Sequence, residues 1–226
     1  TVWGEVGGSS TGINYLSTAS DAEAGTTGYS TYADAAQATP VDCTGGTSGS
    51  TWTQSSTSPL RGTYNYLWTK PASNEQGEGV AAAFTIDAAD KAHRLSISLE
   101  YEVGSGTWQA GSDSQDSDLT VYVYDVTNST LIQPQGYKLA GGSGNQHKYQ
   151  GYFQAASNST SYRLCLHQAA SGSSAYTLKV DSVKVGPESF TRGPPVTDWT
   201  AFTMTGAWSA NTTYTAFKRR VGDSEE

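Results

Sequence analysis

The sequence predicts an all-β chain folded as an antiparallel sandwich, and three observations carry that expectation. Strand-like apolar runs recur at short intervals, turn-forming residues crowd the gaps between them, and no segment sustains a 3.6-residue period. Hydrophobic residues make up 36% and charged residues only 15%, while 14 Tyr and 6 Trp supply the buriable surface that a disordered chain lacks. A length of 226 residues suits one sandwich-sized domain with a smaller appendage.

GTYNYLWT (62–69) and GVAAAFTI (79–86) open the series, followed by HRLSISLEYEV (93–103), LTVYVYDV (119–126), YQGYFQA (149–155), SYRLCLHQA (161–169) and YTLKVDSVKV (176–185). SNEQGEG, DAADKA, VTNST, GGSGN, ASNST and ASGSS punctuate them, as antiparallel connections require. QAASNSTSYRL (154–164) and QAASGSSAYTL (168–178) resemble each other as two successive strands with similar turns. Residues 1–12 read as a connecting segment and 13–186 as the sandwich. Residues 187–197 read as a linker, because Pro194 and Pro195 cannot join a ladder, and 198–226 as an incomplete β appendage. Trp199, Phe202, Trp208, Tyr214 and Phe217 make that appendage too aromatic for a solvated tail, so it is expected to pack at an interface. The chain reads as a processed piece of something longer.

Alternation sorts the middle strands into two sets. Leu95, Ile97, Leu99, Tyr101, Leu119, Val121, Val123, Tyr149, Phe153, Tyr162, Leu164 and Leu166 form a core face. On the opposite parity stand Glu100, Tyr122, Tyr124, Tyr152, Arg163 and His167, expected side by side with the tyrosines exposed. Aromatic rings stack on pyranose faces and charged groups bond to hydroxyls, so the set suits a glycan-binding sheet. It equally suits a solvated or subunit-packed face, with Arg163 and Glu100 as a cross-strand pair, and both readings stay open.

In YTLKVDSVKV the alternation changes phase: Leu178 and Val180 keep one parity, Val183 and Val185 the other. An inserted residue does this, which places a β-bulge at Asp181-Ser182 and turns Asp181 toward the sandwich edge. INYLSTASDAEAGTTGYSTY (13–32) brings Asp21 and Glu23 into a Gly-flanked loop. With Asp181 these carboxylates form a candidate calcium set, because calcium takes six to eight oxygens. Cys43 and Cys165 allow at most one disulfide; two unpaired thiols are the reading here, the pairing being illegible from spacing.

NYL, SDAEAG and the terminal YTLKVDSVKV together resemble the jelly-roll carbohydrate-binding modules of secreted glycosidases. In that family a Phe-Glu-x-Gly-like element and an Ile-Asp-Asp-Val-like one hold a structural calcium. Here Ala22 and Ser182 depart from the pattern. VTDWTAFTMTGAWSANTTYTAFKRRVGD (196–223) resembles the start of a module of bacteriophage tail fibres and related virion proteins, most specifically in Lys218-Arg219-Arg220-Val221-Gly222-Asp223.

The two resemblances together imply a virion structural protein, whether tail fibre, spike or surface decoration, that attaches to a host-surface glycan. They further imply a virion-surface location, other virion proteins as partners and a homo-oligomer, trimers being usual for fibres. The alternative is a carbohydrate-binding module of a secreted bacterial glycoside hydrolase.

A net charge of −8 argues against nucleic acid and anionic membrane as partners. No enzyme is expected. His93, His147 and His167 lack metal-ligand spacing, phosphate-loop and nucleophile-elbow motifs are missing, and Glu100 and Glu102 on an open strand face make no catalytic pair. The sequons at Asn128, Asn158 and Asn211 read as chance in a Ser- and Thr-rich chain.

Overall fold

The computed structural model describes residues 13–111, 117–142 and 144–187, together with the backbone of four short strands beyond them. The chain divides into two compact units, 1–188 and 189–226. In the first unit ten strands run β1 (Tyr29–Ala33), β2 (Thr51–Ser55), β3 (Asn65–Lys70), β4 (Glu78–Thr85), β5 (Arg94–Gly106), β6 (Leu119–Asp125), β7 (Thr130–Ile132), β8 (His147–Gln154), β9 (Ser161–Gln168) and β10 (Tyr176–Pro187). They form two five-stranded sheets, ordered β1-β4-β9-β6-β7 and β2-β3-β10-β5-β8, with every pairing antiparallel. This is the predicted β-sandwich, in the jelly-roll manner of strands alternating between sheets.

All twelve residues assigned to the core face are buried in one cluster, joined by Tyr66, Trp68, Phe84, Leu178, Val180, Val183 and Val185. Strand β5 shows why the pattern was legible: its exposure alternates from Leu95 to Val103, so one row of side chains meets the facing sheet and the other does not. In contrast, β6 is buried at six of its seven positions, Tyr124 alone being half-buried. A strand buried on both faces has something lying over its outer side as well.

The bulge lies where the phase change put it. Asp181 pairs with Glu100 and Lys184 with Ser98, so Ser182 and Val183 together oppose Leu99. Ser182 adopts a left-handed backbone with φ 52°. The expected direction of Asp181 needs correcting: it does not reach an open edge but is 2% exposed.

The second unit contributes β11 (Thr200–Phe202) paired with β12 (Ala216–Lys218), and β13 (Arg220–Val221) paired with β14 (Ser224–Glu225). The connecting segment 1–12, residues 188–197 and the expected burial of Trp199, Trp208 and Tyr214 lie outside the described residues.

Candidate functional site

The expected platform divides between two surfaces. Tyr122 and Tyr124 on β6, with Arg163 and His167 on β9, belong to the first sheet; Glu100 on β5 and Tyr152 on β8 belong to the second. Both groups have the parity that points away from the shared core, so they face outward from opposite sides of the sandwich.

On the first sheet the outward face is covered. Tyr122 is 2% exposed and packs in a second cluster with Tyr32, Cys43, Ala81 and Cys165, edged by Tyr124, Leu131 and Tyr137. The connection between β1 and β2 lies across it and is fastened at several points. Cys43 and Cys165 are joined in a disulfide with Cα atoms 6.3 Å apart, which corrects the expectation of two thiols. Arg163 Nη1 donates to the Asp42 carbonyl at 3.1 Å, and its guanidinium lies 5.6 Å from the Tyr124 ring centroid. Arg163 therefore does not pair with Glu100.

His167 Nε2 bonds to the Gln37 carbonyl at 3.1 Å and Nδ1 to the Tyr32 hydroxyl at 2.9 Å. A carbonyl only accepts, so Nε2 carries the proton and the tyrosine donates to Nδ1. Tyr32 reaches the histidine over Gly79, which stands between them in register; a Cβ there would strike the tyrosine hydroxyl. Burial pushes the His167 pKa below its ordinary value, so the ring stays neutral. Arg163 and His167 thus hold the connection in place, while Tyr122 packs within the buried cluster and Tyr124 at its edge.

The outward face of the second sheet is open and polar. Three cross-strand rows span β10, β5 and β8: Asp181–Glu100–Lys148, Lys184–Ser98–Gln150 and Gly186–Ser96–Tyr152. Ser96 and Ser98 make a low floor, with Lys184 on one side and Gln150 and Tyr152 on the other. Adjacent strands lie about 4.8 Å apart and rows about 7 Å apart, so the trough is roughly 10 Å between flanking strands. Glu100 closes one end, where Arg61 donates to its two oxygens at 2.7 and 2.6 Å and Gln146 adds a bond of 2.7 Å. The Arg61 bonds hold the Glu100 carboxyl below the usual carboxylate range, against the opposing effect of partial burial. Arg61, Glu100, Gln146, His147 and Lys148 line a shallow depression there. At the other end Arg94 lies 4.0 Å over the Tyr152 ring, whose hydroxyl accepts a bond of 2.6 Å from Gln150.

Arg61 and Gln146 were not foreseen. Both lie on connections, 39 and 46 residues from Glu100 in the chain, and nothing in strand periodicity points to them.

The carboxylate trio is also rearranged. Glu23 Oε1 accepts the Thr63 and Tyr64 N–H groups at 2.7 and 3.0 Å, which keeps its pKa low and commits it to the 62–64 turn. Among the described residues no group of three His, Cys, Asp or Glu is placed to hold a metal, so the set Asp21, Glu23 and Asp181 does not converge. The 20–22 loop nevertheless meets the bulge: Val183 N donates to Ser20 O at 2.7 Å, and the Tyr66 hydroxyl bonds to Asp21 O. Asp181 Oδ1 accepts the Ser182 N–H at 2.6 Å, whereas no close hydrogen bond reaches its buried Oδ2, and the Arg61 backbone beside the carboxyl only partly offsets the burial. Burial is the main cause raising the Asp181 pKa, and the neighbouring Asp21 and Glu100 charges add to it. Val180 pairs with Tyr66, so Asn65 is the next residue beside Asp181, and its buried Oδ1 also lacks a donor.

No family model and no curated protein matches this sequence. Among solved structures, the sandwich is similar to the xylan-binding domain of a family 22 carbohydrate-binding module, with TM-score 0.50 and 8% identity over 74% of this chain and 92% of that one. A second such xylan-binding domain, from Paenibacillus barcinonensis, matches with TM-score 0.44 and 14% identity over 61% of this chain and 81% of its own. The enzymatically active domain of bacteriophage CBA120 tailspike protein 4 matches with TM-score 0.48 and 11% identity over 77% of this chain but 21% of that one. At these identities the likeness is one of fold.

Proposed function

We propose that this chain is a non-catalytic glycan-binding component of a virion surface, a tail fibre, spike or decoration protein, presenting the open face of its second sheet to host polysaccharide. The observation that carries the glycan reading is that face itself, where a floor of small serines runs between amide, tyrosine and charged side chains whose positions are set by the ladder. The virion reading rests on the resemblance of residues 196–223 to phage fibre modules. A disulfide suits the oxidising surroundings of an extracellular particle.

A structural calcium belongs to the same proposal. Asp181 and Asp21 would hold it, with Asn65 Oδ1 beside them and Glu23 excluded by its turn contacts. The fit rests on two buried oxygens without a close hydrogen bond beside a second carboxylate. The ion would satisfy them and cancel the repulsion between the two acids.

The second reading, a module of a secreted glycoside hydrolase, is favoured by 74% of this chain spanning 92% of a solved xylan-binding domain. Light scattering separates the two. A stable homo-oligomer, trimeric for a fibre, supports the virion component; a monomer that binds glycan supports the hydrolase module. Adsorption to host cell-wall polysaccharide that survives replacement of Gln150 and Tyr152 by Ala would remove the open face as the site.

A further inference from the structure

The chain carries 21 acidic and 13 basic residues, yet the open face concentrates its unpaired charge in lysines. Of the carboxylates nearby, Glu100 is engaged by Arg61 and Glu102 by Lys179 at 3.0 Å, while Asp181 is buried away from the surface. Lys148 and Lys184 form no ion pair among the described residues, and both reach solvent. They stand on the two strands that flank β5, one row apart, which separates their Cα atoms by roughly 12 Å across the Ser98 floor.

We infer that the ligand of this face is an anionic polysaccharide, whose acid groups pair with Lys184 and Lys148 while its rings run along the Ser96 and Ser98 floor toward Tyr152. The inference rests on the glycan-binding reading above and narrows it. A neutral sugar meets Gln150, Ser96 and Ser98, and its hydroxyls accept from the two ammonium groups, but it brings no charge to balance them. A polymer with a repeated acid group meets both. The chain's net charge of −8 opposes a polyanion at long range. At about 0.1 M salt, however, charges beyond roughly 10 Å are screened, and the lysines in direct contact decide. The geometry does not choose between carboxylate and sulfate, because an ammonium group reads either as a point charge.

The test titrates the full chain with polygalacturonate, heparin and carboxyl-reduced polygalacturonate by affinity electrophoresis at about 0.1 M salt. At least one charged polymer should bind ten or more times tighter than the reduced polymer, and about 0.5 M salt should weaken that binding. The pair Lys148→Glu and Lys184→Glu should abolish the preference, with the melting temperature within roughly 2 °C of the parent. Tighter binding of polygalacturonate assigns a carboxylate and of heparin a sulfate; either supports the inference. Equal binding of charged and reduced polymers overturns the inference but leaves the glycan reading standing. Failure of all three polymers to bind overturns the inference and leaves the glycan reading to the host-polysaccharide adsorption above; undiminished preference in the double variant also overturns it, since the lysines would then not be the site.

Discussion

Removal of the Cys43–Cys165 bond should cost the sandwich about 5 kcal/mol. The two cysteines are 122 residues apart. A cross-link closing a loop of that length removes about 16 cal/mol/K of entropy from the unfolded chain, or about 5 kcal/mol at 25 °C. For a unit of 188 residues, unfolding entropy near 2.1 cal/mol/K per residue sums to about 0.4 kcal/mol/K, so the melting temperature should fall by about 12 °C. The remaining fastenings of the 34–50 connection, among them Arg163 to Asp42 and His167 to Gln37, keep the native state in register, so the effect should come chiefly through the unfolded ensemble. Calorimetry and urea unfolding of Cys43→Ala/Cys165→Ala, beside the parent with and without a dithiol reductant, measure it. Reduced parent and double variant should agree within about 1 kcal/mol, the variant adding the small packing loss at the buried Cys165. A shift below about 3 °C, or two reactive thiols in the denatured unreduced parent, would refute the reasoning.

Tyr122→Ala should destabilise the chain by about 3 kcal/mol or more, because the ring is buried under the β1–β2 connection; a midpoint unchanged in urea would mean the face is open after all. Calcium at about a hundred times its dissociation constant should raise the stability of the parent by about 2.7 kcal/mol, and Asp181→Asn should remove that gain. The same variant should melt higher than the parent in chelator, since it discharges a buried carboxylate beside Asp21; thermal scans with and without calcium decide both. His167 has a depressed folded pKa, so its contribution is present above the unfolded value near 6.5 and lost as pH falls through the folded one. Stability should drop with acid in that window, and His167→Gln should flatten the drop; a parallel slope in the variant assigns it elsewhere.

Inside-versus-outside was legible in the sequence because it is local: period-two alternation places Leu95, Ile97, Leu99 and Tyr101 on one side of their strand whatever the strand pairs with. The bulge was legible for the same reason, a slip in that period at Asp181-Ser182 being visible in one strand alone. Three strands escaped notice, β1, β2 and β7, and all are edges of their sheets. An edge strand has one pairing partner and a weaker demand for burial, so YSTYA and TWTQS carry little alternation. Parity names a face but not its sheet, and that was decided only when β6 and β9 paired in one sheet and β5 and β8 in the other. The connection that covers Tyr122 and His167 comes from 70 or more residues away in the chain, held by the Cys43–Cys165 bond and by hydrogen bonds from Arg163 and His167 to backbone carbonyls. Contacts of that kind follow from the fold and leave no periodic trace in the residues that make them, which is why the tertiary structure alone separated the buried tyrosine face from the open lysine and serine one.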